Sequence, residues 1–292
     1  MRNKFIFCAA LIFSSLFSFN TNVSLAQNTE AFKFNPARVR TGTLYQYRKS
    51  NLDGTHPDNV FIYVADKNHL DVLKLEPGVT TGVNIEVELD WQTFMPKKLQ
   101  MYHDRKDGTH TPIFHLTMVG DEAVLTADDL ASMNKQAAAI VGKEQRVKIA
   151  SPAHIYGFEL ISFNFAIQHL RNPKSNFAVG IMGDNRNFGP DSPSPIAFFG
   201  EAKIEYLATE KRDGGLCHKY RLGGEAFKDK EGFFWTDAKL GHITDIEMPL
   251  ANNGDWENFK LKFIKAEKLS AAAWKKRKAD EVAKFLNNSI KN

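Results

Sequence analysis

The tetrapeptide Asp-Gly-Thr-His occurs twice, at residues 53–56 and 107–110, and each copy offers a carboxylate, a hydroxyl and an imidazole. Such a set could form a duplicated acid-base site. It could equally form a duplicated bend, because Asp-Gly is a strong hairpin signal in which glycine accepts the positive φ of a primed turn. The flanks favour the bend: residues 45–47 and 60–64 surround the first copy, 99–102 and 113–118 the second, all patterned as strands. His56 and His110 then become solvated rim residues. The repeat gains a functional meaning only if both bends close over one cavity mouth.

Three further side chains are candidates for catalysis. His154 and Glu159 flank Gly157 in HIYGFE and, with Asp53 or Asp107, would make an acid-base pair if the fold brought them together. The alternative is a structural histidine ahead of a buried helix. Alternation over 216–222 puts Cys217 on the face of Lys219 and Arg221, and nearby cations favour a reactive thiolate. The alternative is an ordinary unpaired cysteine. No G-x-S-x-G elbow, H-E-x-x-H helix, phosphate loop or G-x-G-x-x-G string is present. No two of the nine histidines stand four apart, and a metal site is not expected. In the loop 183–195, Arg186 and Phe188 occupy positions where a calcium loop needs oxygen ligands, so it reads as a proline-rich surface loop. No cofactor is implied.

Aromatic residues give a different signal. Phe is the most frequent aromatic, at 23 residues, and such rings either fill a large β core or line a cavity for an apolar ligand. The candidates for such a lining are Trp91, Phe94, Phe158, Phe163, Phe198 and Trp235.

The elements that must position these groups are mostly strands. Over 83–91, Val83, Ile85, Val87, Leu89 and Trp91 alternate with Asn84, Glu86, Glu88 and Asp90, which puts one face in the core and the other in water. Strands are also expected at 43–50, 59–65, 69–75, 97–103, 113–119 and 145–150, then at 177–182, 195–210, 216–222, 232–236, 242–249 and 258–268. The closely spaced turn signals predict hairpins. A capping pattern at Thr126 and Asp129 predicts a helix over 127–141, and a dense apolar run ended by Asn172-Pro173 predicts another over 158–170. A C-terminal helix is expected over about 270–288, with Trp274, Val282, Phe285 and Leu286 turned inward. The fold class is α+β, mostly antiparallel: a strongly curved sheet, either a β-clam or an open barrel, with a helical insert at 126–171.

The first 26 residues read as a secretory signal peptide: Arg2 and Lys4, an apolar run over 5–17, then Ser24-Leu25-Ala26. The remaining 27–292 are expected to be one β-rich domain, exported and most simply periplasmic, with no transmembrane segment. Loss of Arg2 and Lys4 lowers the net charge from +4 to +2, too little to imply nucleic acid. Only Cys217 remains after processing, so no internal disulfide forms.

The stretches YRKSNLDG (47–54), PAHIYGFELISFNFAIQHL (152–170), GEAKIEYLATEKRDGGLCHKYRLGG (200–224) and FFWTD (233–237) resemble a family of exported bacterial proteins of no assigned function. Members of that family look like the β-clam of periplasmic lipoprotein carriers. The resemblance implies a curved sheet wrapped over helices around an apolar interior, and it supplies no catalytic residues. Three functions follow as expectations. The first is a carrier for a lipid, acyl chain or lipoprotein anchor. The second is an envelope scaffold that binds another protein around a packed core. The third is a hydrolase or isomerase using His154 or Cys217.

Overall fold

Period-two patterning, broken every few residues by Gly, Asn or Asp, builds one sheet of fifteen strands among the described residues of the computed structural model. The structure describes residues 29–76, 81–105, 109–128, 142–184, 195–251 and 256–289. The first eight strands are β1 (Thr43–Ser50), β2 (Asp58–Val64), β3 (His69–Leu75), β4 (Gly82–Asp90), β5 (Met95–Asp104), β6 (His110–Val119), β7 (Glu122–Ala127) and β8 (Glu144–Lys148). They form an antiparallel meander outward from β1. A second run comprises β9 (Ala153–Ile155), β10 (Phe177–Asp184), β11 (Ile196–Arg212), β12 (Gly215–Gly223), β13 (Gly232–Asp237), β14 (Ile243–Met248) and β15 (Phe259–Lys268). It returns from the other edge to lie beside β1, giving the order β8 to β1, then β15 to β9.

Four residues, 149–152, join β8 at one edge to β9 at the other, and β9 pairs in parallel with β10, so the connection between those two strands must cross back over the face of the sheet. That crossover carries the helix α1 (Ile161–Ala166), flanked by 3-10 turns at Tyr156–Phe158 and Ile167–His169, and every side chain of α1 is buried. The run expected as one helix over 158–170 is therefore a short helix between tighter turns. A segment covered on all sides follows the shape of its surroundings rather than one period. Between its inner residues and the sheet lies the main core, including Tyr45, Tyr47, Val72, Ile85, Phe163 and Phe234.

The edge strands β8 and β9 do not pair with each other, so the sheet is not closed. The clam or barrel expected from the sequence is corrected to an open sheet whose apolar face is covered by its own crossover. The edges are managed in other ways: β8 is five residues of EQRVK with exposed charges, and β9 has only three residues. The capping pattern at Thr126 is also corrected, because Thr126 and Ala127 end strand β7. The remainder of the helix expected there lies outside the described residues, as do the signal peptide and most of the loop 183–195.

The C-terminal helix α2 (Ala271–Ser289) lies on the opposite face of the first four strands. Trp274, Val282 and Leu286 are buried there against Leu44, Phe61, Tyr63, Leu73 and Leu75. Trp274 stacks on Tyr63 at 5.6 Å and donates its indole N–H to Asp71, which also takes the Lys278 ammonium at 2.9 Å. Asn84, on the strand face expected to be wet, is fully buried and donates to the same carboxylate at 3.0 Å. That face is dry where the helix covers it.

Candidate functional site

In β1, Tyr45, Tyr47 and Lys49 alternate onto the core face, and in β3 Leu70, Val72 and Lys74 do the same. The pattern thus carries two lysines inward at the same end of the sheet, since β1 and β3 run parallel on either side of β2. Asp58, opposite Lys49 in the β1–β2 register, joins them. The fourth member, Glu159, descends from the crossover. It has φ 52° and the next residue, Leu160, φ 53°, a left-handed pair that costs on the order of 1–2 kcal/mol per residue without glycine. Glu159 Oε1 lies 2.9 Å from Lys49 Nζ and 2.8 Å from Lys74 Nζ. Asp58 stands 4.0 Å from Lys49.

The electrostatics follow from this packing. Burial raises the Glu159 pKa, but the two ammonium groups outweigh it and the net displacement is downward. Lys74 is opposed by burial and still held above its usual value by Glu159. Lys49 is pushed down, chiefly by burial, although Glu159 pulls the other way. Asp58 rises to about 7, with burial dominating the pull of Lys49. Trp256 covers the Lys49 ammonium at 4.3 Å from its ring centre. The four groups neutralise one another and fix the crossover to the sheet.

A second polar set holds α1. Asn164 donates to the Tyr47 hydroxyl at 2.8 Å and accepts the Ile243 amide at 2.8 Å, while the Tyr47 hydroxyl donates to the Ile243 carbonyl at 3.0 Å. Burial pushes the Tyr47 hydroxyl pKa far up, so it stays protonated.

The candidates separate. Glu159 is committed to the lysines. His154, fully buried on β9, pairs instead through Nδ1 with Ser162 Oγ at 2.9 Å and packs against Phe163, while its Nε2 has no hydrogen-bond partner among the described residues. Burial pushes its pKa down to about 3, so the ring is neutral at physiological pH. Cys217 is 3% exposed beside the Thr244 hydroxyl at 3.7 Å, and burial raises the thiol pKa. The cations on its face are otherwise engaged: Lys219 lies over the rings of Phe233 and Trp235, and Arg221 pairs with Glu205 and Glu231. Among the described residues, no three His, Cys, Asp or Glu side chains are grouped as a metal site requires.

The two Asp-Gly-Thr-His copies serve opposite faces. The first is the β1–β2 hairpin, where Gly54 has φ 88° and Asp53 accepts the Thr55 amide and hydroxyl at 2.9 and 2.7 Å. Those bonds hold the exposed Asp53 carboxyl below its ordinary pKa. His56 is exposed and its ring lies 5.9 Å from Trp256, above the lysine cluster. In the second copy, between β5 and β6, Asp107 and Gly108 lie outside the described residues. His110 stacks on Tyr102 at 4.0 Å, sits 2.5 Å from Asp104 and borders a cleft with α2. Both bends stand at one end of the sheet without sharing a mouth.

Most of the aromatic candidates are engaged with other rings. Phe94 stacks on Phe32, Phe163 packs edge-on to Phe234, Phe158 stacks on Phe114, and Trp91 stacks on Phe34 and meets the His169 ring at 4.5 Å. Phe198 is partly buried against the core beside Gly180. Trp235 points to the other face from its neighbour Phe234, donating to Glu210 under the Arg212 guanidinium. Sequence reasoning missed Lys49, Lys74 and Asp58, although the placing of both lysines on apolar strand faces was a readable signal. It also missed His169 and His242.

No protein-family model matches the chain, and no curated protein does. Solved structures similar to it include the hypothetical lipoprotein YmcC from Escherichia coli (K12), at 10% identity over 86% of this chain and 93% of that one, with a TM-score of 0.32. A Bacteroides fragilis protein designated exported and YmcC-like in fold aligns at 10% identity over 82% and 100%, TM-score 0.27. A Vibrio parahaemolyticus domain designated an outer membrane lipoprotein-sorting protein aligns at 10% identity over 87% and 96%, TM-score 0.24.

Proposed function

We propose that this protein is an exported, non-catalytic interaction module, a scaffold that recognises another envelope protein through its outer surface. The supporting observation is the filling of the apolar face by the chain's own crossover. Phe163 touches Phe177 and Phe234, Tyr156 touches Phe227 and Phe259, and Tyr45 touches Phe165, so these rings already have partners of their own. Polar groups that would otherwise be reactive are neutralised in the same packing, as Glu159 is by Lys49 and Lys74. Cross-linking in intact envelopes, followed by isolation of the protein, is expected to recover a reproducible protein partner and no stoichiometric lipid.

A carrier for an apolar ligand is the second reading. It is favoured by the crossover being fixed at discrete polar points, Glu159 and Asn164, over an otherwise apolar face. A lipid or acyl chain would have to displace it, gaining about 25 cal/mol for each Å² buried. Native mass spectrometry of protein from its own envelope decides between the two: one bound lipid per chain replaces the first reading with the second.

A further inference from the structure

At the end of the sheet opposite the lysine cluster lies a cleft of about 260 Å3. One wall is made by the turn after β13, where Gly241 adopts φ 79° and its amide donates to the Asp237 carbonyl at 2.8 Å, delivering His242 into the cleft. His242 is 4% exposed, and neither ring nitrogen has a hydrogen-bond partner among the described residues. Its ring is set between Tyr45 at 5.5 Å and Phe263 at 4.7 Å, both of which also line the cleft. A buried imidazole with two idle nitrogens is a group awaiting a partner from outside the chain.

The charges around the cleft indicate what that partner carries. Arg212 is held by Asp245 at 3.1 Å and by Glu247 at 2.9 Å. Asp213 is held by Lys262 at 2.7 Å, and Asp237 accepts the amides of Lys239 and Leu240 at 2.9 and 2.6 Å. Arg40 differs: it is exposed, lines the cleft and takes part in none of the ion pairs among the described residues. The uncommitted groups are thus a guanidinium fork, which matches a carboxylate in two-point geometry, and an imidazole that can donate one further hydrogen bond. The walls beside them are aromatic carbon.

We propose that this cleft binds a small organic carboxylate, with its anionic head between Arg40 and His242 and its carbon body against Tyr45 and Phe263. The volume falls below the range of roughly 300–1,000 Å3 usual for drug-sized ligands, which makes the ligand fragment-sized. His242 serves as a neutral donor: burial pushes its pKa down to about 4, with Asp237 opposing and Arg40 assisting. This site is independent of the interaction surface proposed above.

Sodium benzoate is the probe, read by the imidazole nitrogen resonances of His242 in the isotopically labelled full chain. Benzamide, of the same shape without charge, and sodium chloride at matched ionic strength are the controls. Expected are a saturable shift with benzoate in the millimolar range, binding about tenfold weaker for benzamide, and about tenfold weakening in Arg40→Gln, as loss of a charge-assisted contact implies. Thermal unfolding of Arg40→Gln should match the parent. In His242→Phe, which keeps the ring volume, benzoate should no longer shift the Tyr45 ring resonances. The proposal is overturned if benzoate to roughly 50 mM leaves His242 unshifted, if benzamide binds equally well, or if Arg40→Gln binds as the parent does.

Discussion

The two ends of the sheet carry similar chemistry and use it differently. At one end Lys49, Lys74, Asp58 and Glu159 are sealed from water and spend their charges on each other. At the other, Arg212, Asp245 and Cys217 stand beside a cleft in which His242 has no partner and Arg40 no counter-ion among the described residues. The difference is one of compensation. The sealed cluster joins the crossover to the sheet, whereas the open end leaves groups for a ligand to satisfy.

The largest test of that contrast is Glu159→Ala. It leaves two buried ammonium groups facing each other, and a loss of about 3–5 kcal/mol in urea unfolding is expected. If the loss is below about 1 kcal/mol, the cluster is not what anchors the crossover.

The pH dependence sharpens the comparison, because Asp58 at one end and His242 at the other titrate with opposite sign. Asp58 has a folded pKa near 7, above its unfolded value near 4, so it contributes stability at low pH that is lost as pH rises through about 4 to 7. Lys49, Lys74, Glu76 and Glu159 all act on it. Asp58→Asn should flatten that slope and add roughly 2–4 kcal/mol at pH 8. His242, with a folded pKa near 4 below an unfolded value near 6.5, acts in the other direction: stability is lost as pH falls through that window. His242→Phe should reduce the acid slope, leaving the shares of His154, His169 and His218, whose pKa values are also pushed down by burial. Parallel urea titrations from pH 4 to 8 read both limbs.

Asn164→Ala is expected to cost about 1–3 kcal/mol, because the Ile243 amide loses its acceptor in a dry site. Removing Cys217 has the smallest effect. Cys217→Ser should change stability by about 1 kcal/mol, and the native thiol should resist a disulfide reagent until urea is added. Rapid labelling in native buffer would make the open end more accessible than its geometry implies.

Legibility in the sequence tracks how local the cause is. Strand β3 is found at the residues expected, His69–Leu75, because alternation and its bounding turns are properties of adjacent residues. Residues 158–170 were misread as one helix, since their conformation answers to a sheet surface built from distant segments. Glu159 was picked out for acid-base work beside His154. Its actual partners are Lys49 and Lys74, more than eighty residues earlier, and no local pattern reports that pairing.

By itself the sequence determined a chain of hairpins with one apolar face, a C-terminal amphipathic helix and a first Asp-Gly-Thr-His that bends rather than reacts. Those follow from side-chain periodicity and from the backbone freedom of glycine. Only the tertiary structure decided that the second meander returns beside β1 and that β9 pairs in parallel with β10, which carries residues 156–176 across the sheet to fill its apolar face. It also decided which charges meet. Burial converts Lys49, Asp58 and Glu159 from three ordinary strand and turn residues into one neutralised cluster, while His242, equally buried, is left without a partner.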